Sequence, residues 1–176
     1  FKITNKVDAG NILLQKKHNV GNNENLGDLW NSLSHVGSEL LINTLKCLDS
    51  NSIIPIEQNL DDITLAPKIN KKMFAINWNR PCEDIHNQIR AFSPRPGAYS
   101  YKGSKRIKLF DSKISNTNKL KPGYYILYND RILIGTKSND LIVKGLQIEG
   151  KKRISVSDYF KGVVIGKNGD VLKFGK

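Results

Sequence analysis

Apolar residues recur at steps of three and four positions between residues 26 and 45, in a stretch whose other positions are mostly polar. This period predicts a long amphipathic helix whose continuous apolar stripe faces a hydrophobic core. The repeating positions are Leu26, Leu29, Trp30, Leu33, Val36, Leu40, Leu41 and Leu45.

A short apolar run at residues 12–15 follows a glycine-containing turn at residues 7–11 and predicts a buried strand. One strand and one helix cannot cover the apolar stripe, so we expect the rest of a sheet to lie before Phe1 or to come from elsewhere. The chain starts with Phe, and its first residues resemble the middle of a strand. We therefore expect a fragment or a processed product.

The helical period stops after Asp49, and Pro55, Pro67 and several Asn residues interrupt a polar stretch. This composition is typical of a linker between domains, which we place at residues 51–72. Beyond it, residues 81–92 form a second amphipathic pattern, with Pro and two acidic residues in its first turn and Ile85, Ile89 and Phe92 on one face. The pattern predicts a short helix that ends before Pro94.

Short β-like runs then alternate with Gly, Asn, Asp and Pro, as in a small barrel. Near the end of the chain, Ser155 and Asp158 have the spacing of a capping box that opens a short helix, which Gly162 would close. The predicted strands lie at residues 98–101, 107–110, 124–128, 132–135, 141–144 and 163–165.

The 176 residues are 39% hydrophobic, enough for one globular domain or two small ones. No run approaches the roughly 20 apolar residues of a membrane-spanning helix, and no signal peptide is visible, so we expect a cytoplasmic protein with no membrane partner. Cys47 and Cys82 are far apart, and the three His are scattered. We expect reduced thiols and no metal site.

Charge is distributed unevenly along the chain. Residues 1–60 contain five Lys or Arg against six Asp or Glu, a balance of −1, whereas residues 61–176 contain 23 against 10, a balance of +13. A block this basic attracts a polyanion, which favours nucleic acid, although a basic surface without a partner has the same composition.

Asp8 is the candidate catalytic carboxylate, because it lies in a turn beside a predicted strand end, where catalytic groups are common. An Asp before Ala-Gly is more often a turn former that bonds its own backbone. Local sequence alone therefore favours the structural role.

Two motifs stand out in the sequence: the run Ile-Arg-Ala-Phe-Ser-Pro-Arg-Pro-Gly-Ala-Tyr at residues 89–99 and the box Gly-Lys-Lys-Arg at residues 150–153. They belong to an ordered set of segments, which are Val-Asp-Ala-Gly-Asn-Ile-Leu at 7–13, the helix that ends near Leu45, Ala-Pro-Lys-Ile at 66–69, Ile-Asn-Trp at 76–78, residues 85–99 and Gly-Lys-Lys-Arg-Ile-Ser at 150–155. In this order the segments resemble the methionyl-tRNA formyltransferase family over the whole chain, and the two motifs carry most of the specificity.

The resemblance implies an α/β remnant of a Rossmann-like formyltransferase domain at residues 1–50, the linker at 51–72 and a mostly β, OB-fold-like barrel at 73–176. It implies an enzyme that transfers a formyl group from 10-formyltetrahydrofolate to methionyl initiator tRNA. We expect a monomer without a metal. In the family the catalytic Asn, His and folate-site Ser-Leu-Leu-Pro precede the Asp that matches Asp8. We therefore expect no folate-binding residue in this chain and no activity from the chain alone.

For tRNA, the resemblance points to the linker lysines and then to basic residues of the barrel. Arg95 departs from the family, which usually has an aromatic residue between these two prolines, so both a phosphate contact and simple exposure stay open. We expect Trp78, Phe92 and Tyr99 to pack rather than to stack on bases. The predicted tRNA contacts are Lys68, Lys71, Lys72, Arg80, Arg90, Arg95, Lys105, Arg106, Lys108, Lys151, Lys152 and Arg153.

Two alternatives remain at this point. One is a stand-alone OB-type RNA-binding module, although such a module would leave the apolar stripe of residues 26–45 exposed. The other is a formyltransferase of the same two-domain plan that acts on a sugar nucleotide. A strongly basic second domain has less use there, so salt-dependent tRNA affinity separates the two.

Overall fold

The computed structural model describes residues 1–59, 61, 64–162 and 171–175. It divides into two compact units. The first comprises Phe1–Gly21 and Asp28–Lys68, and the second comprises Asn22–Gly27 and Ile69–Lys176.

Helix α1, Leu26–Asp49, is the main element of the first unit and confirms the predicted amphipathic helix. None of its residues is buried. Leu29, Val36 and Leu40 are half-buried, whereas Trp30 is 70% and Leu45 57% exposed. The described residues of this unit therefore cover only part of the predicted stripe.

The prediction of a strand at residues 12–15 is wrong. Ile12 makes one isolated antiparallel bridge with Ile56, through N–O contacts of 2.8 and 2.9 Å, and the residues after it have no regular structure. Residues 1–4 are also irregular, so the expectation of a strand there is wrong too. A buried strand needs paired neighbours, and among the described residues Ile56 alone supplies one.

The described part of the second unit contains an antiparallel seven-stranded sheet. Its strands are β1 Ala98–Lys102, β2 Lys105–Ile114, β3 Tyr124–Leu127, β4 Ile132–Ile134, β5 Leu141–Ile148, β6 Ile154–Ser155 and β7 Val171–Lys173. They lie in the order β1-β2-β5-β4-β3-β7, with β6 paired to β5. Strands β1 to β5 confirm five predicted runs, and the predicted strand at 163–165 lies outside the described residues. Strands β6 and β7 have only two and three residues, too few for an alternating pattern.

The two edges of this sheet come together. Gly175 follows β7, and its backbone N–H donates to the Tyr101 carbonyl of β1 at 2.8 Å, while Gly103 N–H donates to the Gly175 carbonyl at 3.0 Å. The sheet is therefore curled, which agrees with the prediction of a mostly β barrel.

Helix α2, Cys82–Ala91, covers the interior of the curled sheet. Cys82, Ile85 and Ile89 are buried among the inward side chains of the strands, which makes the predicted apolar face the core face. Trp78 and Phe92 belong to the same core, and Trp78 Nε1 donates to Ser100 Oγ at 3.0 Å. Both residues pack, as predicted.

Helix α3, Val156–Gly162, begins with the predicted capping box. Ser155 Oγ accepts from the Asp158 N–H at 3.0 Å and donates to Asp158 Oδ2 at 2.7 Å.

We expect Ser155→Ala to lower the free energy of unfolding by about 1 kcal/mol, since it leaves an N-terminal N–H without its acceptor. Urea unfolding measures the change, and Ser157→Ala in the same helical turn is the control. Equal stability of the two variants would contradict a capping role.

Candidate nucleic-acid interface

Strands β1 and β2 present aromatic and basic side chains on the face opposite the core. Ala98 and Ser100 of β1 are buried, so Tyr99 and Tyr101 alternate to the other face, where both stay half-buried. The antiparallel register pairs Tyr99 with Lys108 and Tyr101 with Arg106. Residues Tyr99, Tyr101, Arg106 and Lys108 therefore share one face, called here the basic aromatic face.

The side chains of the basic aromatic face contact one another. The rings of Tyr99 and Tyr101 meet edge to face with centroids 5.6 Å apart. The Arg106 guanidinium lies 5.5 Å from the Tyr99 ring centroid, within the range of a cation–π contact, and also pairs with Glu149 at 3.0 Å. Both ion-pair partners are about half exposed, so solvent screens the pair and a phosphate can compete for Arg106.

A 3₁₀ helix, Lys71–Phe74, leads directly to this face. After it, Ala75 forms a parallel bridge with Tyr99, and Ile76 N–H donates to the Tyr99 carbonyl at 2.8 Å. Lys71 and Lys72 are exposed. Lys72 lines a groove of about 470 Å³ together with Arg80, whose guanidinium pairs with Asp84 at 3.2 Å.

Four predicted tRNA contacts have partners within the protein, namely Arg80 and Arg106, described above, and Arg90 and Arg153. Arg153 is exposed, its Nη2 donates to both carboxylate oxygens of Asp111 at 2.8 and 2.8 Å, and its guanidinium lies 4.2 Å from the Phe110 ring centroid. Arg90 is half-buried and donates from Nε to Asn87 Oδ1 at 2.8 Å and from Nη1 to the Glu24 carbonyl at 3.0 Å. A phosphate would have to displace these contacts.

Several other predicted bases are exposed. One is Arg95, which lies between two cis peptide bonds, Ser93-Pro94 and Arg95-Pro96. The remaining exposed bases are Lys68 in the first unit and Lys105, Lys151 and Lys152 in the second.

Asp8 occupies an exposed turn in the first unit, with a left-handed φ of 54°. Gln58 Nε2 holds this turn by donating to the Asp8 carbonyl at 2.9 Å and to the Gly10 carbonyl at 2.6 Å. Gly10 is required here, since a Cβ would lie 1.6 Å from the Lys2 carbonyl oxygen. The backbone position of Asp8 is therefore well defined.

One cleft of about 340 Å³ in the first unit does not fit a folate. Its lining is apolar, with Thr44 as its one polar side chain, whereas a pteridine needs several hydrogen-bonding groups. In the described part of the chain, no three His, Cys, Asp or Glu residues come close enough to hold a metal ion.

Sequence reasoning did not identify two buried polar side chains of the second unit. His86 bonds Ser112 Oγ through Nδ1 at 2.8 Å and the Asn22 carbonyl through Nε2 at 3.0 Å, so both ring nitrogens serve the structure. Asp140 is fully buried and accepts three hydrogen bonds. Neither residue has a local sequence signal, because its partners are distant along the chain.

Two buried groups have raised pKa values. Burial raises the pKa of the Cys82 thiol to about 11, with a smaller increase from the negative charge of Asp140 and an opposing hydrogen bond from Thr136. Burial also raises the pKa of Tyr125 to about 12. Both groups stay neutral at physiological pH and act as core residues rather than as nucleophiles.

Residues 68–164 match the family model described as the formyl transferase C-terminal domain. This chain belongs to the formyl transferase family. The match covers more than half of the chain and includes α2, the sheet from β1 to β6 and the basic aromatic face.

Curated formyl transferases also match beyond this domain. The methionyl-tRNA formyltransferase of Staphylococcus aureus (strain MW2) is 33% identical over 168 residues, which cover 92% of this chain and 54% of that protein. The same values hold for the protein of that name from strain Newman. The chain therefore spans about half the length of these relatives.

Solved structures share the fold at low identity. HypX from Aquifex aeolicus in complex with tetrahydrofolic acid has a TM-score of 0.72 at 16% identity, over 95% of this chain and 30% of that one. The N-formyltransferase from Helicobacter canadensis, in complex with folinic acid and dTDP-3-aminofucose, has a TM-score of 0.56 at 22% identity, over 80% of this chain and 52% of that one.

None of the described helices combines the length and apolar character needed to cross a bilayer.

Proposed function

We propose that this formyl transferase chain forms part of a methionyl-tRNA formyltransferase, which moves a formyl group from 10-formyltetrahydrofolate to the amino group of methionyl initiator tRNA. The observation that carries the proposal is the 33% identity to methionyl-tRNA formyltransferase over 92% of the chain. The match includes segments of both units. Residues 1–50 would belong to a Rossmann-like catalytic domain, 51–72 to a linker and 73–176 to an OB-like domain that holds the tRNA.

Asp8 is the proposed catalytic carboxylate of this chain. Attack of the methionyl amine on the formyl carbon produces an oxyanion, which needs hydrogen-bond donors, and an amine that must lose a proton. A carboxylate can orient and charge-stabilise a His, or relay the proton, but it cannot stabilise the oxyanion. Asp8 would therefore act together with the catalytic Asn and His of the family.

The tRNA would lie against the second unit. Lys and Arg side chains supply affinity through phosphates without reading sequence. Residues 61–176 carry a balance of +13, and Lys71, Lys72 and Lys108 lie on or directly before the basic aromatic face. Because Arg90 is half-buried and donates to Asn87 and to the Glu24 carbonyl, we rank it below the exposed bases.

The test is the salt dependence of tRNA binding by the 176-residue chain. We expect the logarithm of the association constant to fall linearly with the logarithm of salt concentration. The double variant Lys72→Glu, Lys108→Glu should bind about 10-fold or more weakly and reduce the slope by about one for each phosphate that it no longer neutralises. Filter binding or fluorescence anisotropy measures both quantities.

The double variant Lys17→Glu, Lys46→Glu is the charge-matched control, since both lysines are exposed in the first unit. The proposal puts the tRNA against the second unit, so we expect this control variant to bind within about twofold of the parent chain. Salt-independent tRNA binding, or equal losses in both variants, would contradict the phosphate contacts. Binding of a dTDP-sugar without tRNA would favour a sugar formyltransferase. Formyl transfer, assayed on protein that also carries the catalytic Asn and His, separates an enzyme from a binding module.

A further inference from the structure

We propose that Tyr99 and Tyr101 form a stacking platform for an unpaired RNA base, with Arg106 and Lys108 holding the adjacent phosphates. The inference rests on the proposed tRNA function and adds to it a subsite that recognises unpaired nucleotides. It also revises the role expected of Tyr99, whose ring lies on the face of β1 opposite Ala98 and Ser100, the buried side chains of that strand.

The pairing of strands brings the required groups together. Tyr99 and Tyr101 lie two residues apart on one strand, and Lys108 and Arg106 lie directly opposite them on the next. Aromatic rings stack on bases of any sequence because every base has a π face, and neighbouring cations bind the phosphates that link the bases. Arg106, 5.5 Å from the Tyr99 centroid, can also extend the stack with its planar guanidinium.

The surface beside Tyr101 has room for a nucleotide. Tyr101 lines an open groove of about 510 Å³, large enough for a small-molecule ligand, together with Asn77, Asn79 and Lys173. Carboxamide side chains are common hydrogen-bond partners of base edges, and the Lys173 ammonium can contact a phosphate. Asn77 Oδ1 already accepts from the Asn79 N–H at 3.0 Å, which orients this edge of the groove.

The platform would select single strands over duplexes. A base in a duplex is stacked on its neighbours and presents no free π face, whereas an unpaired base can lie on a tyrosine. Glu149 pairs with Arg106 at 3.0 Å and would exchange this contact for a phosphate on binding. Loss of the two tyrosine rings should therefore weaken the binding of single-stranded RNA more than the binding of duplex RNA of equal phosphate number.

The experiment compares an eight-nucleotide oligoadenylate containing 2-aminopurine with an RNA duplex of equal phosphate number, using the 176-residue chain. We expect Tyr99→Leu, Tyr101→Leu to weaken single-strand binding about 10-fold or more, to abolish the fluorescence quenching of 2-aminopurine, and to change duplex binding less than twofold. The double Phe variant keeps both rings and should retain binding and quenching.

Tyr128→Leu is the matched control, because Tyr128 is also half-buried and has the Arg131 guanidinium 5.1 Å from its ring centroid. It should bind like the parent chain. Equal single-strand affinity and quenching in the parent chain and the Leu double variant overturn the inference, as does equal weakening by Tyr128→Leu. Circular dichroism checks that the Leu double variant is folded. A folded Phe double variant that no longer binds the single strand or quenches 2-aminopurine would also count against stacking.

The proposed function fails in a different way. If the parent chain shows no salt-dependent affinity for initiator tRNA, the phosphate contacts fail together with the tRNA assignment. If tRNA binding has the expected salt slope but neither RNA probe distinguishes the tyrosine variants, only the stacking platform fails.

Discussion

Replacing Asp140 with Ala is expected to lower the free energy of unfolding of the second unit by about 3–5 kcal/mol. The carboxylate is fully buried, and it accepts from Thr117 Oγ1 at 2.7 Å and from the backbone N–H groups of Lys119 and Leu120 at 2.9 and 3.1 Å. These donors belong to the connection between β2 and β3. Removal of the carboxylate leaves three part-buried donors without their acceptor, and each such loss costs about 1–3 kcal/mol.

Urea unfolding of the parent chain and two further variants tests this effect. Asp140→Asn keeps one acceptor oxygen but directs an amide at neighbouring donors, so we expect an intermediate loss of stability. Asp130→Ala is the control, since Asp130 is about half exposed in its pair with Arg131 at 3.5 Å and should change stability by no more than about 0.5 kcal/mol. An Asp140→Ala variant as stable as Asp130→Ala would show that the carboxylate does not organise this connection.

Alkaline pH is expected to destabilise the second unit through two buried acids. The folded-state pKa is raised from 9.0 to about 11 for Cys82 and from 10.0 to about 12 for Tyr125. For both groups burial penalises the charged form, so the neutral group stabilises the fold fully below its unfolded-state pKa. That contribution is lost as pH rises through 9 to 11 for Cys82 and 10 to 12 for Tyr125. At about 1.4 kcal/mol per pK unit, each group contributes roughly 2–3 kcal/mol.

The measurement is the free energy of unfolding between pH 8 and pH 12 for the parent chain and for Cys82→Ala, Tyr125→Phe, whose slope should be much shallower above pH 9. The comparison uses slopes, because the loss of the Cys82 sulfur changes stability at every pH. Tyr128→Phe controls for the loss of a half-buried phenol and should retain the slope of the parent chain. Parallel curves for the parent chain and the double variant would mean that these two groups do not determine alkaline stability.

The elements of the second unit follow closely from local pattern. The apolar positions of residues 81–92 predicted α2 and its buried face, and alternation within short runs predicted β1 to β5. The capping box of Ser155 and Asp158 formed as expected. These features depend on residues within a few positions of one another, so their spacing in the sequence is enough to predict them.

The first unit shows where local pattern fails. Residues 12–15 have the composition of a buried strand, but Ile56 is the one described residue that pairs there, and no strand forms. The stripe of α1 is apolar, yet no described residue of α1 is buried. Strand formation and burial require partners from elsewhere, and the pattern of a segment does not contain that information.

The candidate interface shows the same division. Composition along the chain is enough to locate the basic residues after residue 60 and to make a polyanion the expected partner. Long-range contacts of the fold bond Arg90 and Arg153 to Glu24 and Asp111, 66 and 42 residues away, and place Arg106 and Lys108 beside two tyrosines. The charge balance and the hydrophobic period of a segment are properties of residues that are close in the sequence. The ion-pair partner of a charged side chain depends instead on which distant groups the fold brings within a few ångströms.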